Sequence, residues 1–333
     1  MPKIVKFSKS YKNILPIKTD FYNANLKNLK KALSINASYK KQKARKACKN
    51  CNKKLYEPVF SSHGVKYTFC QNCNHLNGRH QDTKKFENEQ YFKDTQNFYK
   101  KNYKLLYEKR VKSIYLPKVD FLKSVIKEKI NLLEIGSGAG HFLKACEIKK
   151  ISGVGYESNN DLVKLGKIKL KKNKISYLYL DKTYQKVLES KNNTLVLISV
   201  LEHLREPHKI LNFFKRSKIK YLYISVPLFS LSVFIENSFK SVFPRHLAGN
   251  HTHLYTKESL YYLAKKYKLK IIGEWWFGAD FPDLHRSLLN SSNSNIKKYK
   301  YLMDKYLFSK IDELQNVLDK NKICSQVHMI LKK

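Results

Sequence analysis

A strand-like run that ends in three alternating glycines is the segment of this chain best suited to hold a ligand. Residues 131–142 read NLLEIGSGAGHF, which places Gly136, Gly138 and Gly140 between an apolar stretch and a helix-like one. Glycines allow a sharp turn and let main-chain N–H groups at a helix start lie against a bound group. A dinucleotide fingerprint spaces its glycines as GxGxxG, and its third glycine position is His141 here. Glu134, two residues ahead of Gly136, is awkward for a pyrophosphate and suits a zwitterionic, sulfonium-bearing ligand. Glu157 follows Gly136 by 21 residues, at the end of the run GVGYE. That is where a ribose-hydroxyl acceptor is expected in such folds. An NAD site, or a glycine turn with no ligand, remains the alternative.

The second constellation is Cys48-Lys-Asn-Cys51 and Cys70-Gln-Asn-Cys73, with residues 52–69 between the pairs. Two thiolates per tight turn make a tetrahedral four-sulfur site for structural zinc, with no position left for water. An iron–sulfur centre or unrelated surface thiols are the competing readings. The other two of the six cysteines, Cys146 and Cys324, stand alone, a pattern that suits a reducing cytoplasm better than a disulfide framework. His63 and His75, beside the cysteines, read as surface histidines. Neutral histidine near pH 7 makes a good general base. His203 follows the fourth predicted strand, where it would face a ligand pocket, and His251 alternates with His253 along an extended segment. Arg245 and His246 could meet an anionic group or simply line a solvated loop. Trp275, Trp276, Asp280, Asp283, His285 and Arg286 are further acceptor-binding candidates.

Strands are expected at 130–135, 152–157, 175–180, 194–199, 220–226 and 269–275. Helical spacing fills the gaps between the first five. That alternation demands a mostly parallel sheet covered on both faces. A last run, 325–331, would close the sheet antiparallel to 269–275. Residues 1–47 read as a basic, poorly ordered leader and 48–80 as the zinc-binding module. A helical connector or cap spans 81–128, broken in two by Pro117. Within it Tyr91, Phe92, Phe98, Tyr99, Tyr103 and Tyr107 share a helical spacing that simple packing explains. The α/β domain occupies 129–333, with insertions at 227–250 and 277–321.

With 42% hydrophobic and 13% aromatic residues the chain can bury a real core, which excludes a disordered class. The formal charge of +40 invites a nucleic-acid reading, yet only seven of the 66 basic residues are arginine. Arginine is the preferred fork for phosphates and base edges, so its scarcity argues against a dedicated nucleic-acid surface. Lysine, asparagine, isoleucine and tyrosine richness is also what AT-rich coding DNA produces. The N-terminus has no continuous apolar stretch of the secretory kind. The longest apolar run, 221–235, contains Pro227 and three serines and is too short to span a bilayer.

LLEIGSGAGHF, GVGYES and, at 199–207, SVLEHLREP stand in order and at proper intervals. Together they resemble the class I S-adenosylmethionine-dependent methyltransferases over about residues 120–275. The resemblance implies a Rossmann-like, seven-stranded, mostly parallel sheet, here with a small N-terminal zinc ribbon. It implies that Glu134, Gly136, Ser137, Gly138 and Gly140 cradle the methionine portion of the donor. Glu157 would hold both ribose hydroxyls, and Ser199, Val200 and Leu201 would line the methyl-donor pocket. Paired cysteine knuckles ahead of such a domain resemble the sugar C-methyltransferases of saccharide biosynthesis, and also certain ribosomal-RNA methyltransferases. In NHTHLYT, 250–256, His253 matches the histidine of the sugar enzymes' Tyr-x-Glu-His segment, while Thr252 replaces the Glu and Asn250 the Tyr. His253 is thus the first candidate base and His203 the second. The expectation is a cytoplasmic methyltransferase using S-adenosylmethionine and structural Zn2+ on an anionic, sugar-type small molecule. An RNA methyltransferase, with nucleic acid as partner, and a non-catalytic zinc-containing binding protein are the alternatives.

Overall fold

A computed structural model describes residues 4–18, 20–87, 106–247, 251–291 and 300–333. Its centre is an eight-stranded sheet. The strands are β1 (Ile4–Phe7), β5 (Asn131–Ile135), β6 (Ser152–Glu157), β7 (Lys174–Tyr177), β8 (Thr194–Ile198), β9 (Tyr221–Pro227), β11 (Lys270–Phe277) and β12 (Gln326–Lys332). Across the sheet the order is β1-β11-β12-β9-β8-β5-β6-β7. Only β12 runs antiparallel to its neighbours, β11 and β9, and of these pairings the one with β11 is what the sequence reading expects. The chain builds β5, β6 and β7 outward, then returns to β8 on the other side of β5, and this reversal opens a crevice at the strands' carboxyl ends.

The central strands β5, β8 and β9 are buried along nearly their whole length, which is why they read as unbroken apolar runs. Alternate residues serve opposite faces. Leu133, Ile135, Leu195, Leu197, Leu222 and Ile224 pack on α5 (Leu180–Glu189), α6 (Pro207–Arg216) and α8 (Lys257–Lys266). Leu132, Val196, Tyr221 and Tyr223 pack on α2 (Leu116–Val125), α3 (His141–Ile148) and α4 (Asn160–Lys169). Both insertions are helical: α7 (Leu231–Ser238) in the first, α9 (Asp280–Ser291) and α10 (Ile311–Lys320) in the second.

Two features depart from the sequence reading. The leader is not a loose tail: β1 pairs in parallel with β11, adding an eighth strand to the seven expected, and α1 (Asn25–Lys40) follows it. Pro117 does not break the connector. The helix Tyr107–Arg110 continues through a π-turn, Val111–Tyr115, directly into α2. The wider turn precedes the proline, which sits in the first turn of α2 where its missing N–H costs little. Of the connector's aromatic series only Tyr107 falls within the described residues.

A second sheet, β10-β4-β3-β2, carries the cysteine knuckles. It comprises β2 (Phe60–Ser62), β3 (Val65–Phe69), β4 (Leu76–Gly78) and β10 (His253–Leu254), the last lent by the α/β half. Positive φ at His63 and Gly64 forms the two-residue turn between β2 and β3. Ile35, Tyr39, Val65, Tyr67, Leu76 and Phe86 share one apolar cluster with Val233, Leu247 and Leu254. The ribbon therefore has its core in common with the first insertion. Among the described residues no helix is long and apolar enough to cross a membrane.

Candidate active site

The crevice at the carboxyl ends of β5, β6 and β8 holds a cavity of about 700 Å³, within the range usual for small-molecule sites. Gly136, Gly138 and Gly140 all have positive φ, of 71°, 54° and 72°. Gly136 is doubly required, because a Cβ there would stand 2.6 Å from Val200 Cγ2. At Gly138 nothing lies within 4 Å of where a Cβ would be, so this edge of the loop is open. The Gly136 and Ser137 N–H groups donate to the Tyr156 carbonyl at 2.8 and 3.2 Å, tying the loop to β6. Gly140 caps α3 and does not line the cavity.

Glu157 accepts from the N–H groups of Gly138 and Asn159, both at 2.8 Å, so its carboxylate is fixed at the cavity wall. Burial raises its pKa, and those N–H donors oppose the rise. Glu134 is 3% exposed, and its Oε2 has no hydrogen-bond partner. Burial pushes its carboxyl well above the usual range, with Lys118 pulling the other way. A buried carboxylate oxygen without a donor is costly unless a ligand supplies one. Ser199 takes a left-handed φ of 55° at the end of β8, an uncommon conformation for a non-glycine residue. It lines the cavity with Val200, whereas Leu201 turns into the core.

The two candidate bases part company. His203 lines the cavity, and its ring lies 4.9 Å from that of His251. Glu202, His203 and His251 bring their titratable atoms within 4.8 Å of one another. Glu202 is buried, and burial pushes its carboxyl up to about 8. His251 Nδ1 lies 3.1 Å from the His246 carbonyl, and burial pushes the ring down to about 4. His253 is not at the cavity. It lies on β10, fully buried, with Nδ1 2.8 Å from Nε2 of His75. His75 is likewise buried, not a surface residue, and the pair joins the ribbon to the α/β half. Asn250 lies outside the described residues.

The remaining acceptor-binding candidates do not line the cavity. Asp283 accepts from Arg245 at 2.8 and 2.6 Å, and Glu236 accepts from the backbone N–H of Arg245 and of His246. Asp280 takes hydrogen bonds from Ser230, Ser232, Gln315 and the Ser325 N–H. His285 lies between Tyr22 and Asp304, Arg286 donates to the Phe243 carbonyl, and Trp275 and Trp276 are buried. In their place the cavity is walled by residues the sequence did not single out: Lys9, Tyr11, Ile14 and Lys18 of the leader, and Arg110, Tyr115 and Lys118 of the connector. Nothing in a lysine-rich chain marks these lysines. On the same wall, the His141 ring stacks on Tyr107 at 4.2 Å and on Tyr115 at 5.2 Å.

Away from the cavity, the Sγ atoms of Cys48, Cys51, Cys70 and Cys73 gather within 4.8 Å of one another. Cys48 and Cys73 are 3.7 Å apart, Cys51 and Cys70 3.3 Å. Asn50 and Asn77 donate N–H groups to these sulfurs at 3.4–3.6 Å. Cys146 and Cys324 are buried elsewhere as free thiols.

Residues 107–274 match the family described as a methyltransferase domain. No curated protein sequence matches. Among solved structures, an S-adenosylmethionine-dependent methyltransferase of Archaeoglobus fulgidus is 18% identical, with a TM-score of 0.45 over 69% of this chain and all of its own. Magnesium protoporphyrin IX methyltransferase of Synechocystis is 11% identical, with a TM-score of 0.43 over 71% of this chain and 88% of its own. Since the family match spans half of the sequence and carries both the glycine loop and Glu157, the chain belongs to the methyltransferase-domain family and is a class I S-adenosylmethionine-dependent methyltransferase.

Proposed function

We propose that the protein methylates an anionic, sugar-type small molecule, a nucleotide-sugar or surface-saccharide precursor, with His203 receiving the acceptor's proton. The observation that carries this reading is the cavity itself. Four cationic side chains, Lys9, Lys18, Arg110 and Lys118, line it together with His203 and the glycine loop. S-Adenosylmethionine, when bound, supplies a methyl group for in-line displacement from sulfur. The chain's own residues fit that donor. Glu157 presents a fixed carboxylate for the ribose hydroxyls, and the open Gly138 edge leaves room beside it. The unpartnered oxygen of Glu134 suits an ammonium donor, and Leu162, Leu178 and Leu180 add apolar surface to the cavity lining. Positioning the acceptor on the methyl axis and taking its proton are the remaining tasks. His203, with Glu202 and His251 around it, is the group at the cavity suited to the second.

The four cysteines would hold a structural zinc. Sulfurs about 2.3 Å from a tetrahedral zinc are about 3.8 Å apart; the Cys48–Cys73 separation of 3.7 Å is close to that, and the Cys51–Cys70 separation of 3.3 Å is shorter. The N–H donors from Asn50 and Asn77 suit thiolates.

Methyl-labelled donor offered to a panel of nucleotide sugars and to total RNA tests the substrate reading. Label in the sugar fraction is expected. Label in RNA alone would replace this reading with the RNA methyltransferase one. With an acceptor in hand, His203→Ala should lower kcat by about 10²–10⁴-fold, the usual cost of losing a general base. His253→Ala should leave kcat within about threefold. It should instead lower the Tm by about 3–10 °C, because it leaves His75 buried without its partner. A large kcat loss in His253→Ala with normal thermal stability would reverse the two roles.

A further inference from the structure

Three lysines from two separate elements meet in the donor cavity. Lys9 and Lys18 come from the leader, on either side of Tyr11 and Ile14, and Lys118 comes from the first turn of α2. Lys118 is buried, and the other two are half-buried. Each lies near a ring face, and carboxylates act on two of them from further off, Glu134 and Glu202 on Lys118 and Asp283 on Lys18. Lys9 lies 5.4 Å from the Phe277 centroid, Lys18 5.9 Å from that of Tyr11, and Lys118 4.8 Å from that of Tyr115. Lys49 pairs with Asp82 at 2.5 Å and Lys322 with Glu274 at 2.6 Å, whereas Lys9, Lys18 and Lys118 have no carboxylate oxygen within 4.0 Å among the described residues. They also repel one another. Burial first, and then repulsion from neighbouring cations, lowers each ammonium's pKa to about 7.

A surface lysine can point anywhere at little cost, but a cluster of desolvated ammonium groups with no carboxylate in ion-pair contact is unfavourable unless something anionic joins it. The donor cannot serve. Its single carboxylate is outweighed by its own sulfonium and ammonium, so its arrival adds positive charge to a cavity where four cationic side chains already face Glu134 and Glu157. The compensating anion must therefore come with the acceptor and must carry more than one negative charge. Lysines act as point charges, and phosphate groups satisfy several at once.

We propose that Lys9, Lys18 and Lys118 form the subsite for a phosphate or diphosphate group on the acceptor, with the leader forming one wall of it. This rests on the methyltransferase reading of the cavity and specifies the half that the donor does not fill. It also gives a role to β1, whose pairing with β11 fixes where Ser8–Lys18 runs across the strand ends.

The test is calorimetric titration of inorganic pyrophosphate, and separately of uridine diphosphate, into full-length protein saturated with S-adenosylhomocysteine at about 0.1 M ionic strength. Both should bind. The Lys9→Gln/Lys18→Gln double variant should lose at least tenfold in affinity for each while holding S-adenosylhomocysteine within about twofold, which also shows that it is folded. Tighter binding of uridine diphosphate than of pyrophosphate would assign the phosphate to a nucleotide, and equal binding to a phosphate carried without one. Either supports the subsite. Equal pyrophosphate affinity in the parent and double variant would overturn it, as would displacement of pyrophosphate by S-adenosylhomocysteine. Failure to bind S-adenosylhomocysteine at all would instead count against the donor assignment, and the first titration reads that separately.

Discussion

Glu157→Ala should weaken S-adenosylhomocysteine binding by about 10²–10⁴-fold in calorimetry while changing the Tm by only a few degrees. The carboxylate receives two main-chain N–H groups, from Gly138 and Asn159, and still borders the cavity. Hydrogen bonds to a charged group are worth about 1.5–3 kcal/mol each, and two ribose hydroxyls give the range stated. The loss falls on the ligand more than on the fold, because α4 keeps its own cap: the Asn159 side chain accepts from Asp161 and Leu162 N–H. Glu157→Gln separates the roles further. It keeps an oxygen for one N–H donor but loses the charge, so its affinity should fall between the other two. Binding within threefold of the parent in Glu157→Ala would remove this residue from the donor site. Binding restored by NAD in place of S-adenosylhomocysteine would overturn the donor assignment itself.

The second large effect concerns the cysteine cluster. One zinc per chain is expected by elemental analysis. Its removal by a chelator, or Cys48→Ser, should lower the Tm by more than about 10 °C and abolish methyl transfer. Structural zinc in small modules contributes roughly 10–16 kcal/mol to folding, as much as the whole stability of an ordinary domain. The loss should not stay local. The Asn50 side chain donates to the Ser259 carbonyl at 2.9 Å and Thr256 to the Asn74 carbonyl at 3.0 Å, so the knuckles abut the start of α8. A fully active, normally stable protein without metal would defeat the zinc reading.

How much of this was visible beforehand depends on how far apart the partners lie along the chain. The glycine loop and Glu157 are legible because their chemistry is local: a turn that only glycine can make, and an acid at the next strand's tip. The boundaries of β6 emerge as read from the sequence, 152–157, since alternation and flanking helical runs define it without outside help. β1 is different. Four residues, IVKF, carry no strand signal alone, and what makes them a strand is the register Ile4 to Gly273 and Phe7 to Trp276. His253 shows the same limit in a functional residue. Its neighbours in sequence resemble a segment that bears a base, yet its nature is set by His75, 178 positions away. Lys9, Lys18 and Lys118 were hidden by abundance, since in a chain this rich in lysine only burial tells a buried cation from a solvated one.

The apolar cluster shared by the ribbon and the first insertion limits what can be exchanged among proteins of this kind. Val233, Leu247 and Leu254 are covered by Ile35, Tyr39, Val65, Tyr67 and Leu76. Cutting away the first eighty-odd residues to obtain a minimal catalyst would strip that cover and leave an oily scar prone to self-association. Transplanting the ribbon onto another catalyst would fail for the mirror-image reason, because the fourth strand of its sheet and the apolar residues Val233, Leu247 and Leu254 would stay behind.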